Sequence, residues 1–460
     1  MGIPSYFSHI IRKYPRIISS ISPKIQNLYL DSNSIIYDAV NRLDKSHPQF
    51  EEQVIQEVCR KIDEYLLWVN PTRVMVAFDG VPPFAKIKQQ RERRYKGLLT
   101  QKYLQQEPVW NTVQITPGTI FMKKLNQQLT TYFASYPQKY DFFKLSTSEE
   151  PGEGEHKIFQ HIREFPEFHQ SVHTMVYGLD ADLIVLSLHH LSYGKIHLLR
   201  EAPAFLLEGQ DLQVMDIPAL ARGIQEIVPS ISDYVLLTLF LGNDFMPHFP
   251  ALNLRSNGMD ALLQCYGRVK LPLYTDGIHW ANLRTFLHEL SKSEFSYLCR
   301  EHAFRSRYVP DVSTEEKRIN SMPILQRDKE IFINPTQKGW ESRYYSTLFT
   351  AADIPSICKN FTEMLEWNMK YYTSGCTSWS MYYHYAYPPL LCDLKHHIPD
   401  EVHLPLEMEP WTEPQLLNYV LPTTYHHYIE GGTSKETDLP ILEWSYCRYL
   451  WESHVVFVSI

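Results

Sequence analysis

Three short apolar runs, each followed at once by an aspartate, constrain the fold of this chain more than any other feature of its sequence. The runs are residues 27–30 before Asp31, residues 73–78 before Asp79 and residues 174–179 before Asp180. Helical patterns separate these runs, among them residues 50–69 and 117–133. Strands that alternate with helices predict an α/β fold with a mostly parallel central sheet flanked by helices.

The three strand-end aspartates are predicted to meet at one edge of this sheet. In open α/β sheets, ligands bind outside the carboxyl ends of the strands. A single aspartate after a strand is more simply explained as the N-cap of the following helix. Three aspartates in the same structural position favour a shared functional crevice.

Four further acids occur at predicted strand or helix ends beside glycines. Glu153 and Glu155 lie in the PGEGEHK segment at 151–157, Asp182 closes the GLDAD segment at 178–182, and Asp244 follows Gly242 and Asn243. Together with the strand-end aspartates they form a set that we call the carboxylate cluster: Asp31, Asp79, Glu153, Glu155, Asp180, Asp182 and Asp244.

Such a set predicts a metal site. Carboxylates in one cleft raise each other's pKa, and bound cations relieve that repulsion. Oxygen ligands without Cys or His at ligand spacing favour Mg²⁺ or Mn²⁺ over Zn²⁺, and two such ions suit the hydrolysis of a phosphodiester. The plainer alternative, solvated loop acids and helix caps, stays open at this point. His156 is a candidate to orient a ligand carboxylate.

A basic helix is predicted directly after Asp79. The whole chain carries a formal net charge of −8, so any contact with a polyanion needs a local cationic surface. Lys86, Gln90, Arg93 and Arg94 fall on one face of a helix, which we call the basic face, and arginine forks bind phosphate oxygens bidentately. The sequence therefore favours a phosphate clamp, although charged helix faces are more often only solvated.

The chain divides into three predicted parts. Residues 1–270 form a nuclease core, residues 271–345 a polar and irregular connection, and residues 346–460 a mainly helical, aromatic-rich region that packs around the active site. Most rings of this last region are expected to be core, with one or two in contact with a ligand.

These motifs resemble those of the Xrn-type 5′→3′ exoribonucleases, in order and over nearly the whole chain. The resemblance rests on LDSNSII at 30–36, FDGVP at 78–82, QQRERR at 89–94, PGEGEHKI at 151–158, GLDADLI at 178–184, LGNDFMPH at 241–248, WNMKYY at 367–372 and YYHYA at 382–386. It implies a catalytic core related to PIN and flap nucleases, without the family's large C-terminal domains.

The resemblance also implies a function. Family members hydrolyse single-stranded RNA from a 5′-monophosphate end to mononucleotides with a divalent metal. By motif position, the carboxylate cluster would bind the metal, and Lys86, Gln90, Arg93 and Arg94 would bind the terminal phosphate. It further suggests a monomer, a cytoplasmic location with the nucleus not excluded, and a supply of substrate from decapping factors.

Two departures from the family pattern concern base stacking. Tyr37 stands where the family usually has a histidine, and a tyrosine ring can still stack on the terminal base. Met381 replaces the second tryptophan of the aromatic segment, so stacking there is expected either to be weaker or to shift to Trp379 or Tyr382.

Composition and the chain ends exclude some classes and leave two rival functions. Seven scattered cysteines without a CxxC pair predict reduced thiols, and no signal peptide or membrane-spanning segment is expected. One rival is a flap-type DNA nuclease, although the Gly-rich DNA clamp usual after the last acid is not recognised behind Asp244. The other is a non-catalytic RNA-binding scaffold.

Overall fold

The computed structural model of the protein describes residues 2–19, 23–105, 107–201, 212–351, 353–436, 442–448 and 455–457. Within these ranges the strands form one large sheet and one small hairpin. The strands are β1 (Ile18–Ser19), β2 (Asn27–Asp31), β3 (Arg73–Ala77), β4 (Phe142–Ser146), β5 (His173–Tyr177), β6 (Lys195–Glu201), β7 (Leu212–Asp216), β8 (Leu442–Trp444) and β9 (Val455–Phe457).

Helices connect the strands in the first half of the chain and dominate the second half. They are α1 (Tyr6–Lys13), α2 (Asn33–Arg42), α3 (Phe50–Val69), α4 (Phe84–Leu104), α5 (Ile120–Tyr132), α6 (Gly154–Glu164), α7 (Asp182–His189), α8 (Ile217–Gln225), α9 (Ile231–Leu239), α10 (Gly258–Val269), α11 (Trp280–Ser291), α12 (Glu294–Arg307), α13 (Glu315–Asn320), α14 (Met322–Leu325), α15 (Asp328–Ile333), α16 (Trp340–Leu348), α17 (Ile354–Thr373), α18 (Leu391–Leu394) and α19 (Glu413–Val420).

The central sheet has the order β1-β7-β6-β5-β2-β3-β4, and its inner strands are parallel. Only β7 pairs antiparallel, with β1 on one side and β6 on the other. The predicted mostly parallel sheet is therefore confirmed. In the register of the central strands, Asp31 pairs with Ala77 and Leu30 pairs with Tyr177, so β2, β3 and β5 end side by side.

Alternating side chains of the sheet pack into two apolar layers. Leu28 and Leu30 of β2 point into the layer formed with α2, α3 and α5. Tyr29 of the same strand points into the larger layer, which includes α6 to α11 and α17. The sheet is thus covered on both faces, as parallel sheets generally are.

The connection at 271–345 differs from the expected irregular segment, because most of it is helical. The helix α12 shows why the sequence did not predict helices here. Few apolar residues of α12 are buried, whereas the charged residues Glu301 and Arg305 are buried. The Arg305 guanidinium donates to Glu330 Oε1 at 2.8 Å, so a buried ion pair takes the place of an apolar stripe. The predicted division of the chain into three parts stays a prediction.

The helix α17 lies deep in the molecule and brings the aromatic segment to the end of the sheet. Trp367, Tyr371 and Tyr372 on this helix are all buried. The Trp367 indole donates to the carbonyl of Ser378 at 2.8 Å, which fixes the chain that follows the helix. No helix in the described ranges is both long and apolar enough to cross a lipid bilayer.

Candidate functional site

The carboxylate cluster assembles at the carboxyl ends of the three central strands. Asp31 is the last residue of β2, while Asp79 and Asp180 lie in the loops just after β3 and β5. Because these strands are parallel neighbours in the sheet, their ends lie next to one another. The predicted convergence of the three aspartates follows directly from this topology.

The other four acids reach the same place from helix ends and a loop. Glu153 occupies the N-cap position of α6 without a capping hydrogen bond from its side chain, Glu155 lies in the first turn of that helix, and Asp182 begins α7. Asp244 lies in the loop after α9. All seven carboxylates interact electrostatically in one connected group, so the structure brings together the complete set chosen from the sequence.

Asp79 is held by hydrogen bonds to both of its carboxylate oxygens. Gly154 N donates to Asp79 Oδ1 at 2.7 Å, and Asn33 Nδ2 donates to Asp79 Oδ2 at 2.6 Å. In return, the amide of Asp79 donates to Asn33 Oδ1 at 3.1 Å. A Cβ atom on Gly154 would lie 2.6 Å from Asp31 Oδ1, so the approach of α6 to the strand end requires glycine here.

The cluster repels itself electrostatically. Burial raises the pKa of Asp31 well above its usual range, and the nearby Asp79 raises it further. Burial and then Asp182 act in the same way on the pKa of Glu155. The pKa of Asp182 is raised to about 7 by burial and by Asp244. Carboxyls in this state stay ionised near neutral pH only if a cation joins them.

Lys86 supplies part of that compensation from within the cluster. Its ammonium lies 2.6 Å from Glu153 Oε2 and 2.5 Å from Asp244 Oδ2. Burial alone would raise the pKa of Asp244, but Lys86 and other nearby cations together outweigh it and hold this pKa below its usual range. Lys86 was predicted to bind the terminal phosphate, and that role stays a prediction; its two ion pairs place its charge beside the carboxylates.

The remaining carboxylate oxygens fit a divalent metal. Asp31 Oδ1, Glu155 Oε2 and Asp182 Oδ1 are buried, and the described residues offer them no hydrogen-bond donor. One ligand atom each from Glu153, Glu155 and His156 lie within 4.8 Å of one another. Unpaired anionic oxygens of this kind are the ligands that Mg²⁺ and similar hard cations prefer.

His156 and Tyr371 link the aromatic segment to the cluster. The Tyr371 hydroxyl donates to Glu153 Oε1 at 2.8 Å. Its ring stacks on His156, with ring centroids 3.6 Å apart, and on Trp367 at 4.8 Å. Burial lowers the pKa of His156 well below its usual range, so this ring is neutral. The aromatic-rich region therefore does pack around the carboxylates, as predicted.

The rest of the basic face lies on α4 beyond Lys86. Arg94 Nε and Nη2 donate to Thr116 Oγ1 at 3.2 and 2.7 Å, which fixes the guanidinium. Burial lowers the pKa of Arg94 to about 10, an effect that the neighbouring Tyr37 opposes. Arg93 is exposed, and the buried Gln90 Oε1 has no hydrogen-bond donor among the described residues.

The rings considered for stacking differ in their surroundings. Tyr37 is 36% exposed and lies beside Arg94. Trp379 is half-buried, and its carbonyl accepts a 2.8 Å hydrogen bond from the amide of Phe84 at the start of α4. Tyr382 already packs edge-on against Phe84, with ring centroids 4.8 Å apart. The stacking role of Tyr37 and Trp379 stays a prediction.

Sequence reasoning missed three side chains that contact the cluster. They are Asn33, which bonds Asp79, Tyr371, which bonds Glu153, and Gln89, whose Nε2 lies 3.4 Å from Asp244 Oδ1. All three lie inside motifs that the sequence analysis quoted, so their position in a motif could have marked them as candidates. The motifs do not indicate which residues they contact.

Comparison with known families now places the chain. A family model described as the XRN 5′-3′ exonuclease N-terminus matches residues 1–202, and one described as the Xrn1 helical domain matches residues 226–297 and 301–429. The chain belongs to the XRN family. The two models meet at the cluster of this XRN chain, since Glu153 lies in the first match and its partner Tyr371 in the second.

Curated relatives of this XRN family member are much longer than the chain. It is 25% identical to 5′-3′ exoribonuclease 1 of Saccharomyces cerevisiae, over 92% of this chain and 39% of that protein. It is 28% identical to 5′-3′ exoribonuclease 2 of Candida albicans, over 67% of this chain and 41% of that protein. The chain therefore spans about two fifths of the length of these relatives.

Similar solved structures include two nucleases at low similarity. The catalytic core of Rad2 in complex with DNA has a TM-score of 0.38 at 12% identity, covering 91% of this chain and 99% of that one. The bacteriophage T5 D15 flap endonuclease complex has a TM-score of 0.31 at 12% identity, covering 70% and 97%. Similarity at this level carries no argument about fold or function.

Proposed function

We propose that this chain is a metal-dependent 5′→3′ exoribonuclease, which hydrolyses single-stranded RNA from a 5′-monophosphate end to mononucleotides. The observation that carries this proposal is the convergence of seven buried or half-buried carboxylates in one cluster against a cationic helix. Membership of the XRN family supports the same activity.

The carboxylate cluster would hold two Mg²⁺ or Mn²⁺ ions. Asp31, Glu155 and Asp182 have buried oxygens free of hydrogen-bond donors among the described residues, which makes them the first choice as ligands. When bound, such ions supply activation of the attacking water and charge stabilisation at the leaving 3′-oxygen. Asn33 and Tyr371 keep Asp79 and Glu153 oriented, and Lys86 neutralises Glu153 and Asp244.

The basic face would recognise the RNA end. Arg93 and Arg94 offer guanidinium forks to a terminal phosphate dianion, and Lys86 and Gln90 lie on the same face of α4. Because Thr116 holds Arg94 in place, this fork is oriented before RNA binds. Tyr37 beside Arg94 and Trp379 at the start of α4 would stack on the first bases.

A decay assay on end-labelled RNA tests the proposal. We expect that 5′-monophosphorylated single-stranded RNA is converted to mononucleotides with Mg²⁺ or Mn²⁺ and that a chelator abolishes the reaction. RNA with a 5′-hydroxyl or a cap should react poorly. Preference for a DNA flap assayed in parallel would favour the flap-nuclease alternative, and no hydrolysis with either metal would favour a scaffold.

Replacing Arg93 tests end recognition separately from chemistry. In Arg93→Met, we expect the preference for 5′-monophosphate over 5′-hydroxyl RNA to fall about tenfold, because one charge-assisted hydrogen bond to the phosphate is lost. Lys102→Met removes an exposed cation from the far end of the same helix and should leave the preference unchanged. An unchanged preference in Arg93→Met would mean that the basic face is only a solvated surface.

The remaining expectations from the sequence stay predictions. A monomer in the cytoplasm, or in the nucleus, that receives its substrate from decapping factors is compatible with the proposed activity.

A further inference from the structure

A cavity of about 210 Å³ adjoins the carboxylate cluster on a different stripe of α4 from the basic face. Lys88, Gln89 and Glu92 line it from this helix at the spacing of i, i+1 and i+4. Asp244 forms part of its wall, so the cavity and the cluster share one residue. The exonuclease activity proposed above assigns no role to this space.

The polar side chain at the boundary is only partly satisfied. Gln89 is buried, with 7% of its surface exposed, and its Nε2 donates to Asp244 Oδ1 at 3.4 Å. Its Oε1 is buried and receives no hydrogen bond from the described residues. Buried acceptors are normally paired, and Gln89 lines the cavity, so a ligand there is the candidate source of the donor that this oxygen lacks.

Two cations and two carboxyls line the cavity, and one of these carboxyls, Asp244, already has its counter-charge on a lysine outside the lining. The Lys88 ammonium donates to the carbonyl of Tyr383 at 2.9 Å, which leaves two of its three N–H groups for other acceptors. Arg448 lines the same cavity. Burial raises the pKa of Glu92 to about 7, so near neutral pH this carboxyl is partly protonated and the two cations prevail.

Tyrosine rings complete the lining. Tyr382 and Tyr385 are half-buried and border the cavity, so each presents part of a ring to it. Aromatic faces take nucleobases, ammonium and guanidinium groups take phosphate, and an amide oxygen takes a base or ribose donor. This combination of groups fits a nucleotide better than an apolar or a purely anionic ligand.

We propose that this cavity is a second nucleotide subsite, distinct from the basic face, that binds one nucleoside monophosphate unit next to Asp244. The proposal rests on the exonuclease function proposed above. Two sources share this chemistry: the mononucleotide released by hydrolysis and the nucleotide that follows the cleaved bond in the RNA.

Binding of AMP in the presence of a chelator tests the subsite without hydrolysis. Since AMP also fits the basic face, the measurement is made by titration calorimetry in an Arg93→Met background. We expect Lys88→Met and Arg448→Met each to weaken AMP binding about tenfold, because each removes a charge-assisted hydrogen bond to the phosphate. Lys102→Met should leave the affinity unchanged. Thermal melting of each variant shows that it is folded.

Kinetics with the Lys88→Met variant separate the two sources. If released product occupies the cavity, the inhibition constant of AMP rises about tenfold while the KM for RNA is unchanged. If the following nucleotide occupies it, the KM for a 5′-phosphorylated dinucleotide rises instead. Unchanged affinity for AMP together with unchanged KM in both variants would overturn the proposal.

The two proposals fail in different ways. A wild-type chain that binds AMP in a Lys88-dependent manner but cleaves no RNA would refute the exonuclease function and keep the subsite. A wild-type chain that cleaves RNA to mononucleotides, with AMP affinity independent of Lys88 and Arg448, would refute the subsite alone.

Discussion

The carboxylate cluster and the basic face lie side by side, yet the chain builds them in different ways. The cluster collects acids from three strand ends, two helix starts and one loop, spread from Asp31 to Asp244 along the sequence. The basic face beyond Lys86 belongs to a single helix, α4, and Arg93 on it is exposed. The cluster depends on the whole fold, whereas the basic face depends mainly on the spacing of residues along one helix.

Their electrostatics differ in the same direction. Within the cluster, burial and neighbouring charges raise the pKa of Asp31, Glu155 and Asp182, so the ionised cluster opposes folding until a cation binds. On the basic face, solvent screens the exposed Arg93. We therefore expect charge substitutions in the cluster to change stability and activity together. Substitution of the exposed Arg93, on the basic face beyond Lys86, should change substrate preference alone.

Of the substitutions that test this comparison, the removal of one acid from the cluster should have the largest effect. In Asp182→Asn, we expect hydrolysis to fall about a thousandfold while RNA binding persists, because the remaining residues still bind the RNA end. The folded-state pKa of Asp182, about 7, lies above that of an unfolded aspartate, so its ionisation costs stability as the pH rises through this interval. Without metal, the variant should therefore melt higher than wild type at pH 8 and similarly at pH 4.

The matched control is Asp276→Asn, which removes an exposed acid from the loop before α11. This variant should retain wild-type hydrolysis and melting at both pH values. Wild-type activity in Asp182→Asn, measured with end-labelled RNA, would contradict a role for this residue in the cluster.

The strands and the assembly of the cluster could be predicted from the sequence, but the hydrogen bonds within the cluster could not. The strands β2, β3 and β5 were placed within two residues, because β-branched and apolar runs that end at an acid have a local signature. The cluster followed from topology, since parallel neighbours must end together. The hydrogen bond from Tyr371 to Glu153 spans 218 residues and leaves no periodic trace in either segment, so it could not be read from one sequence.

The helices between 271 and 345 escaped prediction for a related reason. In α12, the buried Arg305 pairs with Glu330, and such long-range charge pairs look like solvent-exposed polar residues in a sequence pattern. Lys86 shows the same limit: its spacing on α4 places it on the basic face, but the local pattern does not reveal its ion partners, which are 67 and 158 residues away. Burial of charge is set by tertiary contacts, which the local pattern does not contain.

Lys86 links the two regions, and its removal gives the next largest effect. In metal-free Lys86→Met, we expect a loss of about 3 kcal/mol in the free energy of unfolding at pH 7.5, because Glu153 and Asp244 lose their buried counter-charge. Nearby cations, Lys86 first among them, hold the pKa of Asp244 below its usual range in the wild type; without Lys86, burial raises this pKa, so at pH 4 the carboxyl in the variant is protonated and its uncompensated charge is gone. The difference between variant and wild type should therefore shrink at pH 4.

Urea unfolding in the presence of a chelator measures this difference. Lys102→Met, which removes an exposed cation from α4, serves as the control and should unfold like the wild type at both pH values. An equal loss at pH 7.5 and pH 4 would show that Lys86 stabilises the fold by packing and not by its charge.

The smallest expected effect comes from Tyr371, at the edge of the cluster. Tyr371→Phe removes the hydroxyl that donates to Glu153 and keeps the ring stacked between His156 and Trp367. We expect about tenfold weaker binding of Mn²⁺, because a group that orients a ligand carboxylate is lost. Recognition of the 5′-phosphate should not change, since the basic face is untouched.

The neighbouring residue offers a matched control for that change. Tyr372→Phe removes a hydroxyl from the same turn of α17, one that lies 3.5 Å from Asn243 Nδ2 and makes no hydrogen bond to a carboxylate of the cluster among the described contacts. Calorimetric titration with Mn²⁺ should give wild-type affinity for Tyr372→Phe and reduced affinity for Tyr371→Phe. Equal affinities in the two variants would mean that Glu153 is oriented by Lys86 alone. The helix α17 would then contribute packing but would not affect metal binding.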